Sequence, residues 1–513
     1  MSGTLFRGGT VRSLGDSGDF EWVLVADGLI EATGVRDDEP DCDRTVELDG
    51  ATLLPAFCDA HVHLPATGLY RKGMDFRGQQ RSARILEAFT ERARSGNGLL
   101  FGGNFEDPLD EALTRHHLDA AVGERPALLA RADMHSCIVS SALLDHLTVG
   151  ELEGVDRDDD GRPTGYLREQ AAAEAWRWFD SNLPEPQQRD AIAAAVQLAY
   201  SKGVASVHEM YVAEWRGWAS LSVLLEGLAG VALDVLIYVA SDDVERVQTM
   251  NLGRIGGDFF LDGSFGSHTA WMSEDYLSAP PAGTPPNGIA YRTEGELLDF
   301  FTRAQDTGLQ TGVHAIGDAA IEQALTAWEK VTAEFGEAAV AALGHRIEHF
   351  ECASDDHITR ARRLGLKGSV QPAFDAFWGG DDGLYASRIG ASRASNMNRF
   401  GTMLRAGLSL GVGSDSTVTP LDPFLQMQAL CMHHLEAERM TAGQALRMHT
   451  LGSRDLGGQG DVAGTIEPGR WADLIAVDRD PEACEGKDLG STQVLGTWIK
   501  GKRVWPEEEA ETE

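Results

Sequence analysis

From about residue 55 to residue 455 the chain repeats one order: a short apolar run, a polar loop, then a stretch with apolar residues at helical spacing. That alternation implies an α/β protein built on a parallel sheet, since each parallel strand must be reached by a crossover helix. The apolar runs fall at 54–63, 99–104, 127–132, 204–210, 233–239, 258–262, 309–315, 346–350, 366–372 and 408–415. A (β/α)8 TIM-type barrel needs eight such strands. The second and third runs lie in a connection, about 65–195, that is too long for one crossover and contains the loop-like Asp156-Arg-Asp-Asp-Asp-Gly-Arg-Pro163. They are therefore assigned to an inserted α/β subdomain.

The two ends of the chain follow a different pattern. Residues 5–12 and 22–30 read as short strands with Asp27-Gly28 as a hairpin turn, and 471–478 and 494–504 match them at the other end. Neither set could bury a core alone. One small composite β-sandwich domain, 1–54 with 456–506, is expected to flank a barrel domain at 55–455, with an acidic tail at 507–513.

Candidate chemistry gathers where the strands of the barrel end. The run Leu53-Leu-Pro-Ala-Phe-Cys-Asp-Ala-His-Val-His-Leu64 closes on His61 and His63, which share one strand face because strand side chains alternate. A bare His-x-His is as often a solvated pair as half of a metal site, but this run is too apolar for an exposed strand. Three further candidates recur at strand ends, His314, His349 and Asp415. In a parallel barrel that is the catalytic face. His61, His63, His314 and Asp415 are expected to converge as metal ligands, with His349 close by. Imidazole and carboxylate suit zinc, with iron or manganese able to use the same set. Of His208 and Glu209, adjacent on a strand, only one can face inward. Phe374 and Trp378 would either line an apolar substrate pocket or pack beneath a loop.

Composition narrows the partners. There are 80 acidic and 44 basic residues, a net charge of −36, which repels nucleic acid and anionic membranes alike. The excess is spread evenly, and only seven basic residues are lysine, as suits a salt-rich, halophilic cytoplasm where screening removes self-repulsion. The six cysteines show no metal-binding spacing, and no run of about 18 apolar residues is present. A cytoplasmic location and a small-molecule substrate are expected, with homo-oligomerisation left open.

Read together, Asp59-Ala-His-Val-His-Leu64, Gly165-Tyr-Leu-Arg-Glu169, Gly203-Val-Ala-Ser-Val-His-Glu209, Leu261-Asp-Gly-Ser-Phe-Gly-Ser267, Val313-His-Ala-Ile-Gly-Asp318, His345-Arg-Ile-Glu-His349, Ser369-Val-Gln-Pro372, Gly413-Ser-Asp415 and Gly464-Thr-Ile-Glu-Pro-Gly-Arg-Trp-Ala-Asp-Leu474 carry a family resemblance. The chain resembles the amidohydrolase superfamily, in the branch of the N-substituted formamide deformylases (amidohydrolase family 3). The resemblance implies a (β/α)8 barrel with a composite β-domain, a divalent metal, and hydrolysis of an amide, N-formyl or N-acyl bond. In that reading Asp415 accepts a proton from the attacking water and returns it to the leaving nitrogen, and His349 either ligates a second ion or steadies the reacting oxygen. It also implies substrate-facing places for His135 and Arg168. A deaminase or a cyclic imide or lactone hydrolase could use the same centre, and a non-catalytic scaffold of this fold is the alternative of another class. One position departs from the branch. The lysine that is carbamylated and bridges two metals is replaced by Asp258, several bonds shorter. One ion is therefore expected rather than two, with Glu209 or Asp258 as the substitute bridge.

Overall fold

The computed structural model describes residues 3–16, 18–35, 38–94, 98–150, 152, 154–281 and 283–507. Most of the expected acidic tail, 508–513, lies outside the described residues. The N-terminal strands are β1 (Thr4–Arg7), β2 (Thr10–Val11), β3 (Trp22–Ala26), β4 (Leu29–Gly34), β5 (Arg44–Glu47) and β6 (Thr52–Pro55). After β7 (Phe57–Val62) come β8 (Met74–Asp75), β9 (Leu100–Phe105), β10 (Ala127–Arg131), β11 (Ser136–Val139), β12 (Val155–Arg157) and β13 (Pro163–Arg168). These last six form a sheet of their own, ordered β12-β13-β11-β10-β9-β8, so the second and third apolar runs do sit apart from the other strands.

The central strands are β14 (Val204–Val212), β15 (Asp234–Ala240), β16 (Arg254–Ile255), β17 (Gln310–Ala315), β18 (Arg346–His349), β19 (Lys367–Val370) and β20 (Leu410–Val412). With β7 they make two parallel sheets, β15-β14-β7 and β16-β17-β18-β19-β20. The ladders do not run on through all eight strands. Single contacts link the sheets at two edges: His61 O accepts the Asp415 N–H at 2.8 Å and Ser416 O accepts that of His63 at 2.9 Å, while Val239 O accepts that of Gly256 at 2.8 Å. Most of these strands are buried throughout, and their outer side chains join a core with the surrounding helices, for example Trp328 and Phe301 stacked at 4.1 Å.

The expected strand at 258–262 is present only as a single parallel bridge, Phe260 beside His314 of β17, with Phe259 O accepting the His314 N–H at 3.1 Å and His314 O accepting that of Leu261 at 3.0 Å. The strand before it is the two-residue β16, and it ends at Gly256 and Gly257, both in the left-handed region with φ of 85° and 74°. A side chain at Gly256 would meet Gly312 O at 2.1 Å, so the chain passes flush against β17 and turns. Asp258 follows that turn instead of standing on a straight strand.

The last strands, β21 (Leu474–Val477), β22 (Val494–Ile499) and β23 (Lys502–Trp505), join β2 and β6 in one sheet ordered β2-β6-β21-β22-β23. Leu54 of β6 pairs with Ile475 of β21. Beside it lies the sheet β4-β3-β1-β5, and Phe6 meets Trp498 edge to face at 5.2 Å. Strands from both ends thus share one core. No helix among the described residues is long and apolar enough to cross a membrane.

Candidate metal centre

His61 and His63 end β7, His314 lies in β17, His349 ends β18 and Asp415 follows β20; all five are buried and meet at one place. Asp258 stands in their midst. Its Oδ2 lies 3.1 Å from His63 Nε2 and 3.5 Å from His61 Nε2, and its Oδ1 lies 3.5 Å from both His314 Nδ1 and His349 Nε2. Asp415 Oδ1 is 3.1 Å from His63 Nε2 and 3.6 Å from His61 Nε2. Donors about 2.0–2.2 Å from one tetrahedral ion are roughly 3.3 Å from each other. The observed spacings therefore fit two groups that share Asp258: His61, His63 and Asp415 on its Oδ2 side, His314 and His349 on its Oδ1 side.

One expectation changes with this. Asp258 does not stop short, because the Gly256-Gly257 turn carries its carboxylate to the centre. The expected ligands do converge, with His314 beside His349 on the Oδ1 side of Asp258 and His61, His63 and Asp415 on its Oδ2 side. The grouping of possible ligands gives the same division, His61, His63 and Asp258 in one set and Asp258, His314 and His349 in another, although a further set joins His349 to His61 and Asp415 across the centre.

The second nitrogen of each imidazole is held, which fixes the first. His61 Nδ1 donates to Glu348 Oε2 at 2.9 Å, His63 Nδ1 to Met210 O at 2.9 Å, His349 Nδ1 to Gln371 Oε1 at 2.8 Å and His314 Nε2 to Gly263 O at 3.2 Å. A ring that donates from one nitrogen offers a lone pair on the other. Those other atoms, His61 Nε2, His314 Nδ1 and His349 Nε2, together with Asp258 Oδ1 and Asp415 Oδ1, are buried without a hydrogen-bond partner. Such a donor set suits a divalent cation.

The backbone is shaped for this. His349 and Asp415 adopt φ of 67° and 50°, a conformation costly for residues with a Cβ and common where function imposes it. Gly413 lets β20 lie against β7, since a side chain there would meet His61 N at 2.5 Å.

Sequence patterns passed over the anchor of His61. Glu348 is fully buried and takes two bonds of 2.8 Å from Arg346, while Arg346 also donates to Ala60 O at 2.7 Å. Burial opposes the charge on Glu348, and the Arg346 guanidinium outweighs it and holds the carboxyl below its usual range. The signal was available: Arg346 and Glu348 are two apart on one strand and share a face.

Glu209 is fully buried, and its Oε2 accepts the Leu64 N–H at 2.5 Å at the start of a helix, while burial pushes its carboxyl up to about 7. It is not among the groups spaced to hold an ion. His208 Nδ1 meets Arg346 instead, at 2.6 Å. A small cleft opens on the centre, lined by His135, His314, His349, Phe374, Trp378 and Asp415, together with Arg131, Asp133, Phe265, Glu351 and Tyr385, which no sequence pattern marked. His135 Nδ1 donates to Glu169 Oε2 at 3.2 Å. Arg168 does not line the cleft; it pairs with Asp156 and lies over the Tyr166 ring at 4.5 Å. Tyr166 and Arg168 share the face of β13 opposite buried Leu167.

Residues 44–505 match the sequence profile described as the amidohydrolase family. The chain belongs to that family. It is 26% identical to the Bacillus subtilis protein YtcJ, covering 98% of this chain and 99% of that one. It is also 26% identical to an N-substituted formamide deformylase of Arthrobacter pascens, over 93% of this chain and 94% of that one. An uncharacterised metal-dependent hydrolase from Pyrococcus furiosus superposes with a TM-score of 0.74 at 26% identity, covering 94% of this chain and all of that one. This amidohydrolase is thus a hydrolase acting on carbon–nitrogen bonds, and its buried His and Asp clusters suit a divalent metal.

Proposed function

We propose that this amidohydrolase cleaves the amide bond of a small N-formyl or N-acyl compound at a centre that would hold two divalent cations, most readily zinc, with Asp258 among the residues that would hold both. The observation that carries the reading is the set of five buried, unpartnered nitrogen and oxygen atoms around Asp258. His61, His63, Asp415 and Asp258 Oδ2 would hold one cation, and His314, His349 and Asp258 Oδ1 the other. Two cations offer more than the single ion expected from the shorter side chain, and the central place of Asp258 favours them. Divalent ions in such a site lower the pKa of water towards about 7 and polarise a carbonyl oxygen.

The protein's own residues do the rest. Asp415 lines the cleft and is placed to take the proton from water as its oxygen attacks the carbonyl carbon. As the carbon–nitrogen bond breaks, the same carboxyl returns that proton to the nitrogen, so a carboxylic acid and an amine leave. His135, held by Glu169 and raised to about 9 because that carboxylate outweighs the cost of burial, presents a charged donor from the cleft wall. The edge contacts between β7 and β20 and between β15 and β16 support reading the eight central strands as a closed (β/α)8 barrel. The composite β-domain and the inserted subdomain flank it. The name of the A. pascens relative supports formamides as the first compounds to try. The test is a screen of N-formyl, N-acyl and cyclic amides and of lactones, with amino-heterocycles followed by ammonia release, on protein of measured metal content. Turnover of N-formyl or N-acyl amides is expected. Turnover of amino-heterocycles alone would replace the reading with a deaminase, and metal-free protein that takes up no metal would favour the scaffold.

A further inference from the structure

The cleft carries a feature that amide hydrolysis does not require. Glu351 lies two residues beyond His349, lines the cleft and is 3% exposed. Tyr385 stands beside its carboxyl, and Oε2 is buried without a hydrogen-bond partner. The cations lining the cleft are already engaged: Arg131 is paired with Asp133 and lies 3.6 Å from Asp107, and His135 is held by Glu169 at 3.2 Å. Around Glu351 the wall is aromatic. Phe374 and Trp378 have ring centres 4.9 Å apart, Trp378 and Tyr385 6.5 Å, and Tyr385 and Phe265 5.3 Å. Phe374 also lies parallel to His349 at 6.0 Å, so this wall begins at the candidate metal centre.

Aromatic faces alone would suit a neutral aryl group. A buried carboxylate among them changes the preference, because desolvating a carboxylate against apolar rings is costly unless a cation accompanies it. Rings with centres within about 6 Å of a cation attract it by their quadrupoles, and the attraction is larger where water is excluded. We propose that this wall binds an alkylammonium group of the substrate, so that the compounds cleaved are amides whose other end carries a cationic nitrogen. The ammonium would sit against Trp378 and Tyr385 with Glu351 as its counter-ion. The proposal rests on the amide reading above and names its substrate class.

The test compares two formamides of nearly equal shape on the metal-loaded enzyme: N-formyl-3-(trimethylammonio)propylamine and its uncharged counterpart N-formyl-4,4-dimethylpentylamine. The cationic compound should be favoured about 10-fold or more in kcat/KM, mostly through KM. Glu351→Gln and Trp378→Leu should each shrink that ratio while metal content per chain stays at the parental value. Equal or better use of the neutral compound by the parent enzyme would overturn the proposal and leave the amide reading standing. So would a ratio that neither substitution moves. Formate release from neither compound would overturn this proposal, and the absence of turnover across the N-formyl and N-acyl screen as well would overturn the amide reading.

Discussion

Glu348→Gln probes how the candidate centre is held without touching an atom that would ligate a cation. The parent carboxylate does two things. Both oxygens accept from Arg346 at 2.8 Å, and Oε2 also accepts from His61 Nδ1 at 2.9 Å. Glutamine keeps the size but has one accepting oxygen and an amide group that only donates, so it cannot satisfy Arg346 and His61 together. Both residues are fully buried, and removing the charge of one member of such a pair costs about 3–5 kcal/mol because the other charge is left uncompensated. Losing the carboxylate that orients a ligating histidine typically costs 10–100-fold in metal affinity. The two effects are separable. Thermal unfolding of chelator-treated protein reads the first, and competition with a chromophoric chelator reads the second. A variant whose metal-free form melts with the parent, and whose affinity stays within about threefold, would refute the view that Arg346 and Glu348 hold His61.

Three further outcomes are expected. His349→Asn should lose about one of two metal equivalents while Asp258→Ala loses most of both, and a parent enzyme that binds a single equivalent would refute the two-cation reading. Melting temperature should rise from low to molar salt, because a net charge of −36 repels itself until the screening length falls to about 3 Å, and a salt-independent melt would count against that account. His345 is fully buried, with Nδ1 accepting the Thr311 N–H at 3.0 Å, and burial pushes its pKa down from 6.5 to about 3. The unfolded chain takes up that proton first, so stability is complete above about pH 6.5 and declines on acidification towards pH 3, by about 5 kcal/mol in all. His345→Gln should show a shallower acid slope, with one proton fewer bound on unfolding; an unchanged slope would show that His345 is not buried in its neutral form.

All six residues at the centre were named from the chain: His61, His63, His314, His349 and Asp415 because strand ends in a parallel α/β layer fall on one face, and Asp258 because it stands where the resemblance places a bridging lysine. How they divide was not legible. Which side of Asp258 His314 lies on depends on the turn at Gly256 and Gly257, and a run of apolar residues at 258–262 reads as a strand whether or not two glycines break it first. The cleft wall was invisible for another reason. Arg131 ends strand β10, Glu351 lies in the turn after β18 and Tyr385 sits on a helix, and no local spacing records that they meet.

The scaffold alternative can be weighed on the same atoms. A buried polar atom left without a partner costs about 1–3 kcal/mol, so this cluster is unfavourable unless something satisfies it. A protein that keeps His349 and Asp415 in left-handed backbone on top of this cost needs a compensating interaction at that point, and the unpartnered atoms are all lone-pair donors. Hydrogen-bond acceptors alone would add to the repulsion. Cations remove it, and so a chain with this centre gains stability on taking up metal, which a scaffold that had lost its metal would have no reason to preserve.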